Sequence, residues 1–453
     1  MPVAEDLAPL MRERRLSLIT DGWGSGAKAH EHRLLRSARP ALPLLNWLGQ
    51  FAHPLLKVPR LGWITADPRT ARTLLNDADH LTLLSEGGVG HLWAQILGDW
   101  VYDLFDGPGH HDLRTRSREL FTEKTSAAFV RRAWGERLDA ARASFESGAP
   151  LDLADLSRVL VGQMVTALLG LPVDAGAHAD PDDAYREIFA TGEELASTAL
   201  GTTSDTVLPP HKIARARVIV ERLTGHIDEV FATAHEDTII GRCRILGLTL
   251  QETKGLATLL MVAGTETAAS AMARTAALLY DSGEQHRLIA APQNSESAVR
   301  EALRVTSPAP IIGRSVMADF SLAGTTLRAG ERVVVLTWTA NNLAGDFRID
   351  RPYLPQNRQL WFGAGRHLCL GGPLARAELA AVVELLVGDG RPFRVVSRRY
   401  GRRVLIPAYA ELVVQKADQA EGGSGRRRIR GDQASALRRS MRMVSRQVPA
   451  SGP

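Results

Sequence analysis

The stretch Phe362-Gly363-Ala364-Gly365-Arg366-His367-Leu368-Cys369-Leu370-Gly371 presents a single cysteine from a glycine-rich loop at the threshold of a helix. Its three glycines permit turns and close approaches that a side chain forbids, so a flat, bulky group can lie against the loop. From Leu370 onward, Leu374, Ala375, Leu379, Val382 and Leu386 recur at helical spacing, which sets Cys369 just ahead of a helix N-terminus. Backbone N–H groups and the helix dipole favour a thiolate there. Cys369 therefore reads as an iron ligand and the flat group as haem; the bland alternative is a buried, inert thiol in a tight turn.

A second stretch carries complementary chemistry. Thr249 and Glu252 have the spacing of a capping box, so a helix begins at this point and runs through Leu256, Leu259, Leu260, Ala263, Thr267 and Met272 toward Leu279. Its middle reads Ala263-Gly264-Thr265-Glu266-Thr267, an acid beside an alcohol in a long apolar helix. Gly264 leaves room for a small molecule, Thr267 can orient a hydrogen-bonded water, and Glu266 can connect that relay to solvent. Mid-helix threonines also bond back to carbonyls one turn earlier, which is the structural reading of the same residues.

Three further stretches matter. His110 and Arg114 stand four residues apart on a helix that follows Asp106-Gly107-Pro108-Gly109, so both can point at one anion. Glu301 and Arg304 sit one helical turn apart and can hold a third group jointly. Pro308 and Pro310 forbid helix, so Ile311, Ile312 and Arg314 belong to an extended segment.

The pattern F-G-x-G-x-H-x-C-x-G, followed by x-x-L-A-R, resembles the haem signature of the cytochrome P450 superfamily, of the soluble bacterial type. A-G-x-E-T at 263–267 and E-x-x-R at 301–304 match two more motifs of that family. The resemblance covers roughly residues 60 to 415 and implies a mainly α fold with a smaller β region, a triangular prism of helices around haem b. It makes Cys369 the axial thiolate, with Phe362, Gly363, Gly365, His367 and Gly371 shaping its loop. His110, Arg114 and Arg314 become partners of the haem propionates, and Ala263, Gly264, Glu266 and Thr267 the oxygen-side machinery. Glu301 and Arg304 lock the fold with an arginine from the following meander, Arg351 or, less well placed, Arg358. One departure stands out: relatives read A-N-R-D-P where this chain has Ala340-Asn341-Asn342-Leu343-Ala344.

The implied activity is a monooxygenase that takes electrons from a ferredoxin or flavodoxin with its reductase and hydroxylates or epoxidises an apolar small molecule. Oxidative coupling, peroxygenase chemistry and a non-catalytic haem protein are the alternatives on the same cofactor. A cysteine hydrolase is another, but no nucleophile signature accompanies Cys369.

Composition narrows the class. Hydrophobic residues at 45% and charged residues at 23% are ordinary for a globular protein. Two cysteines, Cys243 and Cys369, exclude a four-thiolate cluster and a disulfide scaffold, and favour a reducing compartment. The stretch 417–453 holds eight arginines against three acids, and removing it from the totals of 55 basic and 50 acidic residues leaves 47 of each. The body is thus formally neutral, which argues against a nucleic-acid partner. Scattered charges before Thr20 and the absence of an apolar run of about 20 residues predict no signal sequence and no membrane anchor. A cytoplasmic monomer is expected, with a haem domain over 1–416 and a flexible basic tail over 417–453.

Other expectations follow chain order. Leu42–Phe51 reads as a helix, Leu61–Thr65 as a strand, and Asp67-Pro68 as the start of a helix. Residues 78–100 read as a loop bordering the substrate, and Arg332–Trp338 as a strand. Helices are expected from Leu151 to Leu223, broken at 172–183 and at 201–210, the latter in the position where the resemblance implies a lid over the pocket. Cys243, between two arginines, is expected at the surface or in a loop.

Overall fold

The computed structural model describes residues 26–171, 179–200 and 206–417. The chain divides at Lys416 into Met1–Lys416 and Ala417–Pro453. All of the basic tail beyond Ala417, and the breaks at 172–178 and 201–205, lie outside the described residues.

The helix Leu250–Asp281 runs through the middle of the larger unit. Its capping box closes as expected: Glu252 N–H donates to Thr249 Oγ1 at 3.2 Å, and Thr249 N–H donates to Glu252 Oε2 at 2.7 Å. From Ala268 to Leu279 every residue is buried. Ala268, Ala269, Ser270, Ala271, Ala273, Ala276 and Ala277 are small enough for neighbours to press close on all sides. Those neighbours are the helices Leu153–Leu169, Asp182–Leu200, Ser295–Thr306 and Gly372–Val387. By length and hydropathy this helix could cross a membrane, contrary to the sequence reading that no stretch is long enough, yet most of its apolar window is covered by other helices.

The strands are β1 Leu56–Val58, β2 Gly62–Thr65, β3 Leu81–Thr82, β4 Leu151–Asp152, β5 Ile312–Val316, β6 Phe320–Leu322, β7 Thr325–Leu327, β8 Arg332–Val335, β9 Phe393–Tyr400 and β10 Tyr409–Lys416. One sheet has the order β1-β2-β8-β5-β3, with β2 and β8 parallel and the other pairs antiparallel. A second has the order β4-β10-β9, and β6 pairs with β7 alone. Asp67 caps the helix Pro68–Asn76 by accepting from Thr70 N–H at 2.8 Å, a contact worth about 1 kcal/mol. The expected helix near Leu42 forms over Leu42–Gly49, and an unanticipated one precedes it at Ala27–Ala38. That earlier helix is stapled to the core by a buried ion pair between Glu31 and Arg274.

Four expectations are corrected. Residues 78–100 are not a loop: β3, the helix Val89–Leu97 and a 3-10 turn from Asp99 occupy them, with Trp93 buried. The glycines hid the pattern, since Gly90 lets this helix sit against Leu84 and Phe105, where a Cβ would lie 2.6 Å from Leu84 Cδ2. Cys243 lies buried in the helix Ile239–Ile245 together with Ile239 and Ile240, while Arg242 is half-buried and Arg244 exposed. Burial pushes its thiol up to about 12, so it is inert at neutral pH. Trp338 leaves the strand after Val335 and joins the helix Thr337–Asn342. Leu151 pairs with Val414 in β4, and Asp152 then caps the helix Leu153–Leu169.

Candidate active site

The cysteine loop is held by its own backbone. Cys369 N–H donates to the Phe362 carbonyl at 3.0 Å, and Leu368 N–H to the Gly365 carbonyl at 3.1 Å. Gly365 adopts φ 69°, and a Cβ there would stand 2.2 Å from the Leu75 carbonyl oxygen, so glycine is required twice over. Gly371 N-caps the helix Gly372–Val387, and the Phe362 ring packs beneath the Arg376 guanidinium at 5.7 Å.

Burial raises the Cys369 thiol above its ordinary value, while N–H groups of Gly371 and Gly372 and the charges of Arg114 and Arg376 pull it back. The anticipated bias toward thiolate is therefore outweighed in the protein alone; coordination to a metal deprotonates such a thiol outright. Cys369 nevertheless keeps accessible surface. A side chain both accessible and densely surrounded faces an interior space.

The central helix faces such a space too. In mid-helix, where its neighbours are buried, Ala263 and Gly264 are exposed and Leu259, Leu260 and Thr267 half-buried. A Cβ on Gly264 would touch nothing within 4 Å, and the same holds for Gly313 and Gly371. Thr267 Oγ1 donates to the Ala263 carbonyl at 2.7 Å, so its hydrogen is committed and its lone pairs remain to accept. Thr265 likewise bonds back to Met261.

Glu266 is 7% exposed, and its Oε2 accepts from Ile406 N–H at 3.3 Å. Its pKa is raised to about 7, chiefly by burial and then by the charge of Glu193, with Ile406 N–H and Arg39 opposing. Among the described residues the carboxyl has no cationic partner in contact with it, and little of it is open to water.

A cluster short of negative charge lies beside the cysteine loop. Asp106 accepts from His367 Nε2 at 2.6 Å, from Leu83 N–H at 2.6 Å and from Thr82 Oγ1 at 3.0 Å, and pairs with Arg366 Nε at 3.0 Å. These partners hold its carboxyl far below the usual range despite burial. Arg314, pulled down to about 10 by burial, feels Asp106 and Arg366. His110, also lowered by burial, packs at a tilt against His367 with ring centroids 4.8 Å apart, and its Nε2 is buried without a hydrogen-bond partner among the described residues. Arg114 donates to the Leu368 carbonyl. Arg314 Nη1 donates to the Gly313 carbonyl at 2.7 Å. Asp106 and Arg366 were missed as site residues, although Asp106 heads the His110 stretch and Arg366 lies within the cysteine motif.

Behind the loop, Glu301 joins two arginines. Arg304 Nε and Nη2 reach its carboxylate at 2.8 Å each, and Arg351 Nε at 3.0 Å. The same guanidinium groups hold the meander: Arg304 donates to the Asn341 and Gly345 carbonyls, and Arg351 to the Ala344 carbonyl. Asn342, which stands where relatives have arginine, donates to the Val305 and Trp338 carbonyls instead. Arg358 lies elsewhere, its carbonyl accepting from Arg72.

The residues fit haem. Cys369 is accessible though densely surrounded, the central helix is uncovered at Ala263 and Gly264, and several cations and one unpartnered imidazole nitrogen lie near a single carboxylate where two propionates would add the missing charge. A helical prism with this arrangement defines a haem-thiolate protein. Comparison with known proteins agrees: residues 295–389 match the family model Cytochrome P450. Mycinamicin IV hydroxylase/epoxidase of Micromonospora griseorubida is 29% identical, over 62% of this chain and 70% of that one. Nocardicin C N-oxygenase of Nocardia uniformis subsp. tsuyamanensis is also 29% identical, over 62% and 70% respectively. The crystal structure of P450BioI, complexed with hexadec-9Z-enoic acid ligated acyl carrier protein, superposes with a TM-score of 0.66 at 22% identity, over 84% of this chain and all of that one. The chain is thus similar to cytochrome P450s, whose fold it shares.

Proposed function

We propose that this enzyme receives electrons from a ferredoxin- or flavodoxin-type partner with its reductase and hydroxylates or epoxidises an apolar small molecule of secondary metabolism. When bound, haem supplies the reductive activation of O₂, which consumes two electrons and two protons, inserts one oxygen atom and releases the other as water. Cys369 would hold the iron. His110, Arg114, Arg314 and His367 would hold the propionates, and Phe362, Gly363, Gly365 and Gly371 would form the bed of the loop. On the facing helix Ala263 and Gly264 leave room for O₂ and substrate, Thr267 accepts a hydrogen bond from an ordered water, and Glu266 holds a proton close to neutrality. Glu301, Arg304 and Arg351 fix the segment behind the cysteine. We assign these roles to a haem domain over 1–416 acting as a cytoplasmic monomer, with 417–453 as an accessory tail.

The single observation that carries this reading is that Cys369 is accessible while densely surrounded; the uncovered mid-helix surface at Ala263 and Gly264 supports it. Leu259, one turn before Ala263 on the central helix, and relatives named for mycinamicin and nocardicin support an apolar or mixed natural product as substrate. The assay is a screen of such compounds for those that shift the haem spin state, followed by product analysis with a ferredoxin and its reductase. Oxygenated product carrying one atom from ¹⁸O₂ is expected; spin-shifting compounds that return only as coupled, unoxygenated products would replace hydroxylation by oxidative coupling.

A further inference from the structure

The central helix and the helix Asp182–Leu200 cross in direct contact: a Cβ on Gly192 would stand 2.7 Å from Thr265 Oγ1. The next residue along each helix is a glutamate, so the crossing sets Glu193 beside Glu266. Glu266 is buried, whereas Glu193 keeps part of its surface. Around Glu266 stand Arg39, after the first described helix, and Ile406 N–H, from the loop between β9 and β10. Around Glu193 the charged neighbour is Arg158, on the helix Leu153–Leu169, whose Nη2 is committed to the Tyr409 and Ala410 carbonyls at 2.9 and 3.1 Å. Neither carboxylate forms an ion pair among the described residues, which is unusual for two adjacent acids away from open solvent.

We propose that Glu193 is the solvent-side member of a two-carboxylate relay that reloads Glu266 with protons, which makes it a positioning residue rather than one that touches the reacting atoms. This rests on the reading of Glu266 and Thr267 given above. In each turnover two protons pass inward from water to Glu193, to Glu266 and on toward Thr267, each carboxyl ends as it began, and no electron moves along this path. Glu193 is raised by burial and partly restored by Arg158, and its charge adds to the burial that raises Glu266. A group with its pKa near the working pH both takes and gives a proton readily. A lone buried carboxyl with no wet neighbour lacks the second step.

The test combines an infrared pH titration of the ferric holoenzyme with turnover of the spin-shifting compound selected above. The protonated-carboxyl band of Glu266 is assigned by its loss in Glu266→Gln. In Glu193→Gln the midpoint of that band falls from about 7 toward the ordinary carboxylate range, because a like charge has been removed. Product formation falls by about tenfold with a larger solvent deuterium isotope effect, and Glu193→Asp restores both. An unmoved midpoint overturns the proposal, as does a moved midpoint with unchanged turnover, which would leave Glu193 an electrostatic neighbour only. Should Glu266→Gln itself leave turnover and isotope effect unchanged, the underlying assignment of Glu266 fails and the relay with it.

Discussion

Glu301→Ala is expected to destabilise the fold by about 3–5 kcal/mol, the range for removing one partner of a buried ion pair. Glu301 and Arg304 are 3% and 1% exposed, and Arg351 is largely covered, so losing the carboxylate strands two guanidinium groups out of water. The damage spreads to the meander, because the same arginines hold the carbonyls of Asn341, Ala344 and Gly345. Arg351→Lys keeps the charge but loses the fork that reaches two partners at once, and a smaller loss of about 1–2 kcal/mol is expected. Arg118→Ala, which breaks only an exposed pair with Glu119, serves as the control and should move stability by less than about 0.5 kcal/mol. Urea unfolding followed by far-UV circular dichroism measures all three. Equal, small effects at Glu301 and Arg118 would remove the locking role.

Thr267→Ala and Glu266→Gln are expected to lower product formation by about 10²-fold while electron uptake and oxygen consumption continue, since proton delivery typically contributes a factor of that order. The two changes act on one route, so the double variant should lose little more than either single one. Glu266 also sets a pH dependence. With its pKa near 7 in the folded protein, the protonated form that donates is full below that pH and is lost above it, so the rate falls on the alkaline side. That limb should vanish in Glu266→Gln. Product yield per electron, measured against pH, separates loss of proton delivery from loss of substrate binding. Unchanged yield in both variants would reduce Thr267 to a helix residue bonded back to Ala263, the geometry its hydroxyl hydrogen already has.

What was legible in the chain was what is local. The cysteine loop, the 263–267 motif and the 301–304 pair each lie within about two or three turns of backbone, so spacing alone brings their groups together. The fold class followed from the family resemblance that these motifs carry. The helix Val89–Leu97 was hidden because Gly88, Gly90 and Gly98 read as loop punctuation, whereas Gly90 serves close packing against Phe105. Cys243 was misplaced because two flanking charges outweighed its buried neighbours Ile239 and Ile240. Trp338 followed a run of valines that reads as strand until Leu336, after which the backbone turns into a helix. Contacts between distant elements were out of reach: nothing near Glu266 announces that Gly192 admits a helix against Thr265, or that the β9–β10 loop brings Ile406 N–H to its carboxyl. Asp106 shows the same limit, since its partners Arg366 and His367 arrive from the far end of the chain.

Coordination by Cys369 is tested most directly by the absorption spectrum of the reduced holoenzyme under carbon monoxide. The native chain should show the strongly red-shifted Soret band that only a thiolate opposite the gas produces, and Cys369→Ser should bind haem weakly or show a band without that shift. A native spectrum lacking the shifted band, or a serine variant that retains it, would contradict the assignment of Cys369 as the ligand.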